Sequence, residues 1–169
     1  LYKGVVYDCF NLNDFSENEI NYLNEHVRII SALYGVLKPY DGIQPYRLDF
    51  TMKLNNINLN RFWKSKILTY FKKEDFILDC ASQEFSHFLK PLKEKVHRIE
   101  FIDNVDGQDK VISYNAKKMR GLMAYYCIKN QVNSVEQIRN FYEEDYKYQT
   151  HHSDNSVSIF KRFSTSNQT

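Results

Sequence analysis

Three cations, Lys117, Lys118 and Arg120, fall within four residues of one another in the run ISYNAKKMRGLM from Ile112 to Met123. Asn115 reads as the N-cap of a helix continuing to about Asn130, which puts Lys117 and Lys118 in the first turn and Arg120 just beyond. The helix dipole makes that end partially positive, so each cation there costs ~0.3–1 kcal/mol and a carboxylate would be the stabilising choice. Free N–H groups with three cations at a helix start are what a phosphate or another anion needs. Leu122, Met123, Tyr125, Tyr126 and Ile128 make the helix apolar nearly all round, so its body is expected to be buried and only its start to emerge. The competing reading is an exposed basic turn without a ligand, a common surface feature.

A second group of candidates lies in SALYGVLKPYDGIQPYRLDFTMKL, from Ser31 to Leu54. Tyr46, Leu48, Phe50, Met52 and Leu54 alternate with polar residues, which predicts a central strand with one buried face and Arg47, Asp49 and Lys53 on the other. Pro39, Asp41-Gly42 and Pro45 specify the approach locally, so Lys38, Gln44, Tyr46 and Arg47 are expected to be held in fixed positions as anion-binding residues. Arg47 can equally pair with Asp49 on its own face. Glu84 follows a short apolar run and is the one acid/base candidate; the bland account places it in a helix's first turn, where a carboxylate is stabilising anyway.

Other chemistry is poorly represented. His151-His152 with Asp154 is the densest set of metal-ligating types, but adjacent residues on a strand face opposite ways, and His87 and His97 lack ligand spacing. No metal site and no cofactor are expected. Cys9, Cys80 and Cys127 are far apart without a CxxC, which points to reduced thiols rather than a disulfide framework or a peroxide-sensing pair. Gly-rich phosphate loops, HExxH and GxSxG are absent from the sequence.

The elements that must position these residues follow from capping and periodicity. Val5-Val6-Tyr7 reads as a strand. Ser16 with Glu19 forms a capping box, and Ile20, Leu23, Val27, Ile30 and Tyr34 continue at helical spacing to a C-terminal Gly35. A second helix carries Leu59, Phe62, Trp63, Ile67, Tyr70 and Phe71. Phe76 to Cys80 is a buried-type strand, and Ser82 starts a brief helix ended by Pro91. Val96–Ile102 and Lys110–Tyr114 read as a hairpin around Asp106-Gly107. Ser134 with Gln137 marks another capping box, and Tyr146–Thr150 with Val157–Phe163 a closing hairpin. The outcome is α+β: a mixed sheet packed with about three longer helices and some short ones, without the rhythm of a doubly wound fold. One domain over 1–163 and a polar tail over 164–169 are expected.

The chain has 169 residues, 13 Tyr and 12 Phe for a core, and a net charge of only +2. That balance does not require a polyanionic partner. Basic residues are nonetheless grouped: Lys53, Arg61, Lys64, Lys66, Lys72 and Lys73 have no acid among them, as do Lys110, Lys117, Lys118, Arg120 and Lys129. For the first group solubility suffices as a reason; the second is odder in position. No apolar run is long enough to cross a membrane. A soluble cytoplasmic protein is expected.

YGVLKPYDGIQPYRLDF resembles the signature of the YaaA family of bacterial peroxide-stress proteins. The likeness continues, in the family's order, in Arg61-Phe62-Trp63, FILDCASQE from Phe76 to Glu84, ISYNAKKMRGLM, and IFKR from Ile159 to Arg162. The chain begins at Leu1 in what resembles the middle of a family member, so it is read as the family's C-terminal two thirds, without the N-terminal SPAKT segment. The resemblance implies a cytoplasmic role in surviving peroxide, limitation of free intracellular iron, and binding of double-stranded DNA, including distorted or damaged duplex. The residues themselves leave a second reading open: Lys38, Arg47, Glu84, Lys117 and Arg120 suit an enzyme pocket for a phosphorylated or carboxylated small molecule.

Overall fold

The computed structural model of the protein describes residues 4–164. The fold is α+β with a mixed sheet and several helices. Its packing sorts the chain into two compact units, the first formed by Ser16–Ile77 and Ala81–Val96, the second by 4–15, Leu78–Cys80 and 97–164.

In the first unit α1 spans Glu17–His26, β1 Ile29–Ser31, β2 Gly35–Leu37, β3 Lys53–Leu54, β4 Ile57–Asn58 and α2 Leu59–Phe71; α3, Gln83–Ser86, runs into a 3-10 segment His87–Lys95. The capping box forms as expected: Ser16 N–H donates to Glu19 Oε2 at 2.6 Å and Glu19 N–H to Ser16 Oγ at 3.4 Å. The helix stops at His26 rather than reaching Gly35, because β-branched Val27, Ile29 and Ile30 pass into a β1–β2 hairpin pairing Ile29 with Leu37. Gly35 therefore serves a different purpose from a helix cap. It has φ +82°, and a Cβ there would lie 2.5 Å from Trp63 Cζ3, so the indole of α2 packs directly on its backbone. Trp63 Nε1 then donates to Ala32 O at 2.9 Å.

The expected strand from Tyr46 to Leu54 does not form. Tyr46 to Asp49 is irregular, a turn follows, and only Lys53–Leu54 is strand, in a hairpin with Ile57–Asn58 through Asn55 and Asn56 at positive φ. The cause is local. The Asp49 carboxylate accepts from the N–H groups of Thr51 and Met52 and from the Thr51 hydroxyl, curling the chain where a strand would continue. The buried alternation fails with it: Phe50 is 3% exposed, Leu48 half-buried, and Met52 and Leu54 are 40% and 43% exposed. Phe50 instead joins Ile67, Phe71, Ile77, Phe88 and Leu89 in the unit's core.

The second unit contains β5 (Ile77–Asp79), which enters it from the first, then β6 (Val96–Val105), β7 (Gln108–Lys110), α4 (Ser113–Lys129), α5 (Val135–Ile138), β8 (Lys147–Tyr148) and β9 (Val157–Ser164). The strand order is β5-β6-β9-β8, with β7 paired to β6. Asp106 and Gly107, at φ 52° and 80°, close the expected β6–β7 hairpin, whose second strand ends at Lys110 instead of Tyr114. β8 and β9 are antiparallel as expected, while β6 and β9 pair in parallel from Arg98–Val157 to Val105–Ser164. Phe101 stacks on Phe160 with centroids 5.5 Å apart, and Met119, Met123, Ile138, Phe141 and Tyr146 complete that core.

Three smaller expectations change. Val5-Val6-Tyr7 is no strand but leads into a 3-10 turn, Tyr7–Cys9, which lies against α4 at Gly121. A Cβ at Gly121 would stand 2.4 Å from Val6 O, so only glycine permits that approach. Ser164 belongs to β9 rather than to a tail; 165–169 lie outside the described residues. His151 and His152 occupy a 3-10 turn, Thr150–His152, not a strand.

Candidate functional site

The QPYRL segment of the first unit is fastened by its tyrosines. Ser31, which is buried, shares a 2.6 Å hydrogen bond with the Tyr46 hydroxyl, and its Oγ accepts from the N–H groups of Leu33 and Tyr34. The Tyr34 hydroxyl accepts from Gln44 N–H at 3.1 Å, and the Tyr34 and Tyr46 rings meet edge to face at 5.7 Å. The Lys38 N–H donates to Asp41 Oδ2 at 2.8 Å. The loop is thus specified by its own side chains, and Lys38, Gln44 and Arg47 stand exposed on it. Glu84 accepts from Phe50 N–H at 3.4 Å through Oε1, so its carboxylate braces the chain after Asp49. Thr51 and Met52 hold Asp49 below the usual carboxylate range, the Thr51 hydroxyl first; the Arg47–Asp49 pairing on a shared strand face lapses with the strand itself.

The cations of the second unit are placed differently from the expected helix start. α4 begins at Ser113 with Ile112 in the capping position, so Lys117 and Lys118 fall in the second turn and Arg120 at the start of the third, where the dipole has largely faded. Asn115 is inside the helix, and its Nδ2 donates to both oxygens of Asp103, at 3.3 and 3.2 Å. The three cations then part. Lys118 is paired with Glu144, whose hydrogen bond pushes the lysine's pKa up. Lys117 is exposed, and Arg120 is half-buried. Arg120 and Lys117 share one helix face at i, i+3 spacing, whereas Lys118 looks toward Glu144.

Below Lys118 lies a polar network that the sequence did not single out. Asp103 is 1% exposed and accepts from Arg162 Nε at 2.9 Å, Arg162 Nη2 at 2.6 Å, Tyr146 OH at 2.8 Å and the Asn115 amide. Arg162 also faces Glu144 at 3.9 Å and lies over the Tyr146 ring, 4.8 Å from its centroid. Burial, then the bond to Asp103, pushes the Tyr146 hydroxyl well up, so it donates rather than ionises. A buried carboxylate so fully met is a fixed anchor, not a free base. Two of its members lay within the runs already marked by resemblance, Asn115 in ISYNAKKMRGLM and Arg162 in IFKR. Asp103 and Tyr146 have no local signal: the β6–β9 register sets Asp103 beside Arg162, and the β8–β9 pairing brings Tyr146, just before β8, up to them.

The thiols are quiet. Burial pushes Cys127 up to about 12 and Cys80 well above its usual value; Cys9 is raised for the same reason and its Sγ donates to Val5 O at 3.3 Å. Among the described residues, no three His, Cys, Asp or Glu side chains are grouped to hold a metal, and no helix is long and apolar enough to cross a membrane.

The comparisons with known proteins point one way. The family described as peroxide stress protein YaaA matches residues 1–152. A UPF0246 protein of Rickettsia felis is 40% identical over 167 residues, covering 94% of this chain and 67% of the relative. One from Rickettsia conorii is 37% identical with the same coverage, and one from Aliivibrio fischeri 39% identical over 172 residues, 95% of this chain and 66% of the relative. The family match spans nearly the whole chain and does not bear out its reading as the family's C-terminal two thirds.

Proposed function

Because the chain belongs to the peroxide stress protein YaaA family, we propose that it acts in the cytoplasm in the response to peroxide, binding duplex DNA, distorted or damaged duplex included, and helping to limit free intracellular iron. The observation that carries the binding part is the α4 face bearing Lys117 and Arg120. Lys118, Lys161 and Arg162 are each neutralised by a carboxylate of their own unit, whereas Lys117 stays exposed and Arg120 enters no ion pair among the described residues. Unspent positive charge on a helix that is otherwise anchored is suited to phosphate. Exposed Tyr114, one turn away on the same helix, offers a ring that can stack on an unpaired base.

Titration of a fluorescent duplex at several salt concentrations tests this. Affinity should fall steeply with salt, and Lys117→Ala should flatten the slope of log K against log salt by roughly one, because one counterion-releasing contact is lost. Lys118→Ala should change the slope less, since Glu144 already compensates that charge. The loss should be similar on unrelated duplex sequences. A flat salt response, or saturable binding of a phosphate ester in place of duplex, would reject DNA as the partner and favour the small-molecule enzyme.

A further inference from the structure

Among the described residues, one buried side-chain nitrogen or oxygen lacks a hydrogen-bond partner, and it is Nε of Arg120. Buried donors are nearly always satisfied, so such an atom marks either a standing cost or a missing ligand. The contrast with Arg162 is informative. That guanidinium spends its Nε–Nη2 edge on Asp103, while Nε of Arg120 meets no hydrogen-bond partner. No hydrogen bond of Nε has to be broken when Arg120 turns this atom onto a ligand.

The surroundings narrow the ligand. Lys117 lies one turn earlier on the same face and is exposed; Ser113, one turn earlier again, brings an exposed hydroxyl. A planar fork, an ammonium and a hydroxyl in a row describe a receiver for a tetrahedral oxyanion. Because Nε is sealed from solvent, the oxygen that meets it must enter past the helix surface. A mid-strand phosphodiester carries a sugar on each side and has two free oxygens. A terminal phosphate has one substituent, three free oxygens and close to two negative charges at neutral pH.

We propose that Arg120 and Lys117 hold a phosphate monoester, of the kind found at the 5′ end of a broken or gapped DNA strand. The proposal rests on the nucleic-acid reading above and adds which part of the nucleic acid this face selects. The same chemistry is offered by a free nucleotide, so the test must separate a strand end from a small molecule.

Fluorescence anisotropy is measured with two gapped duplexes of identical sequence, one carrying a 5′-phosphate and the other a 5′-hydroxyl at the gap. A 5′-phosphorylated dinucleotide and its dephosphorylated form serve as competitors. The phosphorylated gap should bind about tenfold tighter, as one bidentate charge-assisted contact would give. Arg120→Gln should weaken both duplexes but abolish that preference, the phosphorylated duplex losing about tenfold more than the hydroxyl one. Lys117→Ala, at an exposed position that cannot disturb the core, should reduce the preference several-fold and serves if the Arg120 variant proves unstable. Equal affinity for both duplexes overturns the inference and leaves duplex binding standing. Failure to bind either duplex, with Arg120-dependent binding of the phosphorylated dinucleotide retained, removes the duplex reading but upholds the phosphate site. Failure of every probe removes both.

Discussion

Asp103 and Arg162 stand directly opposite each other in the parallel β6–β9 pairing and are joined by two hydrogen bonds, from Nε at 2.9 Å and Nη2 at 2.6 Å. A buried carboxylate and a guanidinium facing across neighbouring strands lock the register of that pairing, because a shift by one residue would turn one of them to the opposite face of the sheet. Asp103→Ala should cost about 3–5 kcal/mol, since Arg162, Tyr146 and Asn115 lose their shared buried acceptor together. Replacing both Asp103 and Arg162 by apolar residues should cost less than the sum of the single changes. Urea unfolding of the four proteins gives the comparison, and additive losses would show that the pair does not act as a unit.

Phe50 and Met52 offer a test of how the chain runs after QPYRL. A strand would bury both; the turn at Asp49 buries Phe50 and exposes Met52. Phe50→Ala should cost about 3–5 kcal/mol and Met52→Ala less than about 1. Leu48→Ala, at a half-buried position, should fall between them. Similar costs for Phe50 and Met52 would restore the strand.

Gly121→Ala places a methyl group where Val6 O now stands, and Cys9 Sγ lies 3.0 Å from the same point. The expected cost is about 1–3 kcal/mol. The telling readout is local: if the 4–15 segment lifts from α4, Cys9 should react faster with a thiol reagent at neutral pH while the far-ultraviolet spectrum is unchanged. A slow, wild-type-like Cys9 would place the strain elsewhere.

Alkaline pH should weaken the second unit. The Cys127 thiol has a folded pKa of about 12 against an ordinary 9.0, so the folded state favours its protonated form. Its contribution is complete below pH 9 and is lost as the pH rises toward 12. The urea midpoint should fall steadily above pH 9, and Cys127→Ala, although less stable at pH 7, should show a shallower fall. Parallel pH profiles would remove Cys127 as the cause, leaving Tyr146 and Cys80, both shifted in the same direction.

Local chemistry was legible in the sequence and long-range chemistry was not. Ser16 with Glu19, Ser134 with Gln137, Asp106-Gly107, and the apolar faces of α2 and α4 each announce themselves within a few residues, and each forms. The alternation at 46–54 misled because period-two patterning says nothing about a carboxylate that bonds the backbone two and three residues ahead. Asn115, a good cap by type, does not start α4, because its amide is held by Asp103 of β6. Lys117, Lys118 and Arg120 read as one group in the sequence, but their separation into one neutralised and two unneutralised cations depends on Glu144, twenty-four residues or more away in the chain. No pattern in the helix itself contains that information.

The sheet order β5-β6-β9-β8 places the latest of the described strands between two earlier ones. During synthesis β6 and β8 would therefore emerge with an empty lane between them, and the Asp103 carboxylate would wait without its guanidinium until Arg162 has been added. Nascent chains halted before Val157 should accordingly be protease-sensitive across the second unit, whereas the Ser16–Val96 helices and hairpins, built on near-neighbour contacts, can already have consolidated. The second unit should thus assemble only after β9 has been made.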